Sequence, residues 1–408
     1  MALPAQHPFL SGNYAPVADE TTITDLAVEG SIPPALSGRY LRIGPNPIGN
    51  APQPYDWSIG DGMVHAIVLR AGRAVSYRNR WVTTSAASVK LGIEPVPGPR
   101  NSGVDTSNTN IVAFGGRILS LGENALPYEL TTALNTVRLV DLAGEASSMC
   151  AHPKTDPVTG ELHVISSADQ PPQLHQVISA SGAITFSRAI TPPASGRIHD
   201  LAVTRHHVVF FGDGVVGMTG RDNEGLVHWL ATTTENDVHP VSAYDAADAD
   251  AVCLHLTCPT LQRWTLDRTA SHSRQDTIDE APQMLDRFNE RRLGRPHRFL
   301  YTVGMGAHLP FDGTEIYKHD LIARTRQTHS LGPGRHPGEF LFVADPQRDR
   351  SEDGGWLLGL VHDDTSNRDD LVVLDAEMFD CSAVATVHVP RRIPYGLHGV
   401  WLPTPWHV

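Results

Sequence analysis

Apolar residues in this chain come in short runs, alternating or continuous, each stopped by Gly, Pro, Asp or Asn. "GRYLRI", "MVHAIVLR", "AVSYRNRWV", "NIVAFGGRILSL", "ELHVISS", "DLAVTRHHVVFFG", "AVCLHLT", "RFLYTVG", "EFLFVA", "GWLLGLVHD", "LVVLDA" and "SAVATVHV" all follow this rhythm. Runs of that length bounded by turn residues read as strands, and long stretches of helical period are scarce. Many short strands with regular turns imply a sandwich, a barrel or a propeller. A single barrel does not use this many strands, whereas a propeller does, at four strands and roughly 40–60 residues per blade. The expectation is therefore an all-β propeller. The least strand-like stretches, near 84–108 and 268–296, are expected to be loops or short helices capping one face.

Composition changes this picture little. Gly (35) and Pro (31) are spread over all 408 residues, so no linker stands out and one domain over 1–408 is expected. The net charge of −13 argues against a nucleic-acid partner, because phosphate binding needs basic patches. Only three lysines occur, Lys90, Lys154 and Lys318. No apolar run approaches the roughly 20 residues that cross a bilayer, and the first twenty residues lack a secretory pattern. The expected location is cytoplasmic. Cys150, Cys253, Cys258 and Cys381 form no C-x-x-C pair, so they read as small buried residues.

The chemistry is carried by histidine, of which there are 21. His152 in "CAHPK", His199 in "RIHDLAV", His255 in "VCLHLT" and His398 in "PYGLHGVW" stand 47, 56 and 143 residues apart. The last interval is close to three times the mean of the others. In a propeller, residues from the same place in different blades would show such spacing and would converge on the axis.

From "GRYLRIGPNPIG" and "DWSIGDGMVHAIVLRAG" through "CAHPKTDPVTGEL", "RIHDLAV" and "GPGRHPGEFLFV" to "RRIPYGLHGVWLP", the chain resembles the carotenoid cleavage oxygenases. These enzymes cleave double bonds of carotenoids, apocarotenoids and stilbenes. The resemblance implies a seven-bladed β-propeller with Fe(II) on its axis, held by His152, His199, His255 and His398. It further implies glutamates accepting from the outer nitrogens of those rings, at Glu123 in "LGENALPYEL", Glu280 in "IDEAPQ" and Glu339 in "HPGEFLFV". A carboxylate in that place keeps an imidazole neutral, in one tautomer and in one orientation. Four neutral nitrogens suit Fe(II) and leave two octahedral positions open, whereas zinc would be satisfied by the four alone. The implied partners are O2 and an apolar alkene, with peripheral membrane contact through the region near 84–108. A zinc hydrolase and a metal-free binding propeller are the competing classes.

The chain departs from the family's pattern in places. Ile43 stands where Asn is usual, the segment after "VCLHLT" lacks the acidic tail common after the third ligand, and the chain is short. The stilbene-cleaving branch carries a lysine before the first of these glutamates to hold a phenol, and here that position is Gly122. This favours a carotenoid or apocarotenoid over a hydroxystilbene. His65 in "GDGMVH" and Asp200 beside His199 are expected to serve the scaffold.

Overall fold

The computed structural model describes residues 7–405, apart from 52–54, 58–59, 102, 145–146, 168–171, 194–196, 222–225, 233–238, 248–250, 270–272 and 308. The apolar runs pair into seven antiparallel sheets, the blades of a seven-bladed β-propeller. Blades two to six take their strands consecutively from the chain. The second begins at Asn110–Phe114, the third at Ser148–Met149, the fourth at Ile198–Val203, the fifth at His239–Asp245 and the sixth at Gln283–Arg287. The seventh begins at Arg335–Ala344.

The blades are joined by apolar contact, and each junction has its own cluster. Tyr40 and Tyr77 of the first blade pack on Leu358 and Leu371 of the seventh, while Leu41 and Val64 meet Ile118 and Tyr128 of the second. Leu119 meets Leu162, Ile165 meets Phe210, and Val209 meets Trp264. Leu261 with Leu300 and Tyr301 with Phe340 complete the circuit. Seven clusters for seven junctions mean that the ring is closed, and apolar burial at roughly 25 cal/mol per Å2 holds it shut.

Closure uses both ends of the chain. The late strand Gly399–Pro403 pairs with Gly38–Pro45 and completes the first blade from inside. The early strand Ala27–Gly30 pairs with Ala385–Val389 and completes the seventh from outside. Early and late strands thus meet in two blades, the first and the seventh. First strands of neighbouring blades touch: Ile198–Val203 with His239–Asp245, Gln283–Arg287 with Arg335–Ala344, and Gly399–Pro403 with both Arg335–Ala344 and Asn110–Phe114. These are therefore the innermost strands.

The two weakly patterned stretches differ. Within 84–108 lies the one α-helix among the described residues, Ser85–Leu91. Thr84 Oγ1 accepts from the Ala87 N–H at its start, and Gly92 ends it at φ +68°. The stretch 268–296, expected as loop or helix, instead holds the strands Arg274–Asp279 and Gln283–Arg287 before a short 3-10 turn at Glu290–Arg292.

Candidate metal centre

Four histidines arrive together at or beside the ends of innermost strands. His152 follows Ser148–Met149 and forms a parallel β-bridge with Asp200. His199 lies within Ile198–Val203, and His239 opens His239–Asp245. His398 immediately precedes Gly399–Pro403. The ring centroid of His152 lies 4.6 Å from that of His239 and 5.2 Å from that of His398, and His199 lies 5.1 Å from His239. His152, Asp200 and His239 offer ligand atoms all within 4.8 Å of one another.

His255 is not in this group. It sits on the second strand of the fifth blade, Ala251–Thr257, paired with Ser242 on one side and Arg263 on the other. Ser242 Oγ lies 3.3 Å from its Nδ1, Arg263 Nε donates to its Nε2 at 3.4 Å, and its ring meets His297 edge-on. Both nitrogens are already engaged, one strand out from the axis. The place expected for His255 belongs to His239.

The expected glutamates also separate. Glu339, on an innermost strand, accepts from His398 Nδ1 at 2.8 Å through Oε1 and from the Gly399 N–H at 2.9 Å through Oε2. Arg287 Nε donates to the same Oε1 at 2.9 Å. Burial pushes the Glu339 carboxyl up, but Arg287 and His398 outweigh it and hold it at about 2. Glu123 accepts from the Ala151 N–H at 2.9 Å, beside His152, while its Oε1 is buried with no partner among the described residues. Burial raises its carboxyl to about 7.

Glu280 is exposed, just past the outermost strand of the fifth blade, and cannot reach an axial ring. The acid that faces His239 from the sixth blade is Asp286, pushed up to about 7 chiefly by burial. It follows Leu285, whose φ is +53°, in a β-bulge between Met284 and Arg287. A bulge of this kind turns a side chain from its regular direction, often beside a functional site.

The donor set fits an iron ion. Burial keeps the His152 pKa far below that of a free imidazole, so the ring is neutral, as a ligand must be. His398 donates Nδ1 to Glu339 and so presents the lone pair of Nε2. A separate cavity of about 380 Å3, lined by Asp25, Leu26, Arg335, Arg368 and His388, involves none of these residues.

A family model described as "Retinal pigment epithelial membrane protein" matches residues 14–234 and 221–403. A carotenoid cleavage oxygenase of Mycobacterium tuberculosis is 33% identical over 99% of both chains. The chain belongs to the carotenoid cleavage oxygenase family. Its alignment with that relative spans 500 positions against 408 residues here, so the match runs through internal gaps. Within the family, carotenoid 9,10(9',10')-cleavage dioxygenase of Crocus sativus is 28% identical, covering 97% of this chain and 89% of its own. A variant of Synechocystis apocarotenoid oxygenase superposes with a TM-score of 0.85 at 26% identity, covering 96% of this chain and 98% of that one. A cobalt-substituted form of the same enzyme matches at 25% identity and a TM-score of 0.84, covering 95% and 97%. Lignostilbene dioxygenase of Pseudomonas brassicacearum, at 22% identity and a TM-score of 0.86 over 98% and 100%, shares the fold.

Proposed function

We propose that this carotenoid cleavage oxygenase homologue is a non-haem Fe(II) dioxygenase of carotenoids or apocarotenoids, its metal held by His152, His199, His239 and His398. The observation that carries the reading is the meeting of those four rings from four blades. Fe(II) bound there supplies the binding and activation of O2, which no side chain of the group can provide. One alkene and one O2 then give two carbonyl products, each carbon of the former double bond taking one oxygen atom. No external reductant and no protein acid or base is needed for that balance.

The protein's part is to hold the imidazoles neutral and aimed. Glu339 does so for His398, and Glu123, Asp200 and Asp286 are the other buried carboxyls near the group. An aromatic group leads into the His398 segment: Tyr395 packs 4.9 Å from Tyr14 and 5.1 Å from Phe311, and Trp57 joins both. These rings pack together in the core cluster between the sixth and seventh blades. A hydroxystilbene is the less favoured substrate, because a Cβ at Gly122 would lie 2.3 Å from the Thr106 carbonyl oxygen. No lysine fits there without moving the backbone.

Anaerobically purified protein should carry one iron per chain and convert an apocarotenoid to two carbonyl compounds under O2. Zinc instead of iron, or rapid turnover of hydroxystilbenes with none of apocarotenoids, would overturn the reading.

A further inference from the structure

Asp200, within the strand Ile198–Val203, is held from several sides. Its side chain is 1% exposed, and Oδ1 accepts from Lys154 Nζ at 2.8 Å and from the Leu201 N–H at 2.6 Å. Its Oδ2 lies 3.2 Å from Nδ1 of His239. Lys154 Nζ also donates to the carbonyl of His152, at 3.3 Å. One lysine and one aspartate thus connect the third, fourth and fifth blades beside three of the grouped histidines.

The chemistry of this contact is directional. A carboxylate paired with a lysine out of bulk water is an acceptor, so the proton of the His239 ring sits on Nδ1. The Nε2 lone pair is then left for a cation. The parallel bridge between His152 and Asp200 fixes the backbone from which the carboxylate projects. Asp286, the other acid near His239, makes no hydrogen bond to that ring among the described residues, and its Oδ2 is buried without a partner.

We propose that the Lys154–Asp200 ion pair is the positioning element of His239, setting the tautomer and ring plane in which its Nε2 meets the metal. The proposal rests on the four-histidine reading above. It assigns the third ligand an aspartate from the neighbouring blade, with a lysine behind it.

The test uses full-length protein reconstituted with Co(II), whose visible band reports ligand geometry independently of activity. Asp200→Asn and Lys154→Met should each lower Co(II) affinity roughly 10–100-fold and shift the band at saturating metal. Lys154→Arg should restore both in part, and His239→Ala should bind more weakly than either. If His239→Ala binds Co(II) like wild type, the four-histidine reading itself fails. If it does not, but Asp200→Asn and Lys154→Met keep wild-type affinity and band, the reading stands and the positioning role is wrong. Loss of binding in Asp200→Asn with no change in Lys154→Met would make Asp200 a ligand, which also overturns the proposal.

Discussion

Glu339, on the innermost strand of the seventh blade, accepts the Nδ1 proton of His398 at 2.8 Å across the junction with the first blade. Arg287 of the sixth blade reaches the same oxygen, so three blades share one buried carboxylate. The same group joins blades and orients the His398 ring, and two substitutions separate these roles. Glu339→Gln keeps an acceptor near His398 and should lower metal affinity roughly 10–100-fold with a modest loss of stability. Glu339→Ala also strips Arg287 of its buried partner and should cost on the order of 3 kcal/mol in urea unfolding. Equal stability of the two variants would contradict this account.

His239 and His255 make a paired test of which strand faces the axis. His239→Ala should lose iron and activity together. His255→Gln should retain stoichiometric iron while losing about 1–3 kcal/mol of stability, because Ser242 and Arg263 lose a buried partner. Metal analysis after dialysis checks both, and iron lost from His255→Gln but kept in His239→Ala would reverse the assignment.

Acid should weaken the fold well above the carboxylate range. His163, His297 and His319 are buried and each is held at about 4, burial being the largest cause. A free imidazole titrates near 6.5, so on acidification the unfolded chain takes up these protons first. Their stabilisation is complete above about pH 6.5 and is lost as pH falls from there through 4. Each contributes up to about 1.4 kcal/mol per pH unit within that window. Denaturation at pH 7.5, 6 and 5 should show the decline, and His319→Gln should make it shallower. An unchanged slope in that variant would rule out His319 as a contributor.

Lys318 bolts the sixth blade to the seventh. Its buried Nζ donates to Asp353 and to the Ala376 carbonyl, both at 2.6 Å, and lies 4.4 Å from the centre of the Phe299 ring. Lys318→Met should destabilise by roughly 3–5 kcal/mol, because Asp353 is left without its cation. Lys318→Met combined with Asp353→Leu should recover much of that loss. A double variant as unstable as the single would place the cost elsewhere.

The propeller is legible because its inner and middle strands bury both faces and so write apolar runs into the chain. The outermost strands Arg274–Asp279 and Thr325–Ser330 leave no such trace, since "RQDTID" and "TRQTHS" face water. The third histidine fails for a related reason. Strand periodicity marks "VCLHLT" clearly but does not say whether it is first or second in its blade. His239 follows the polar stretch "TTTEND" and looks like part of a turn. Two signals favour it: His239 precedes a proline, as His152 does, and "HPVSAYD" ends in the acidic residue that "VCLHLT" lacks. Glu280 misleads in the same way, since local sequence does not separate the outer strand it follows from the inner strand carrying Asp286.

His398 stands directly before the strand that closes the first blade from inside. Ribosomal synthesis therefore delivers the fourth grouped histidine only with the final described strand. Until Gly399–Pro403 docks against Gly38–Pro45, the nascent chain can present at most three of the rings. On the proposed four-histidine reading, stable iron capture would be a late event in maturation, completed only once the ring has shut.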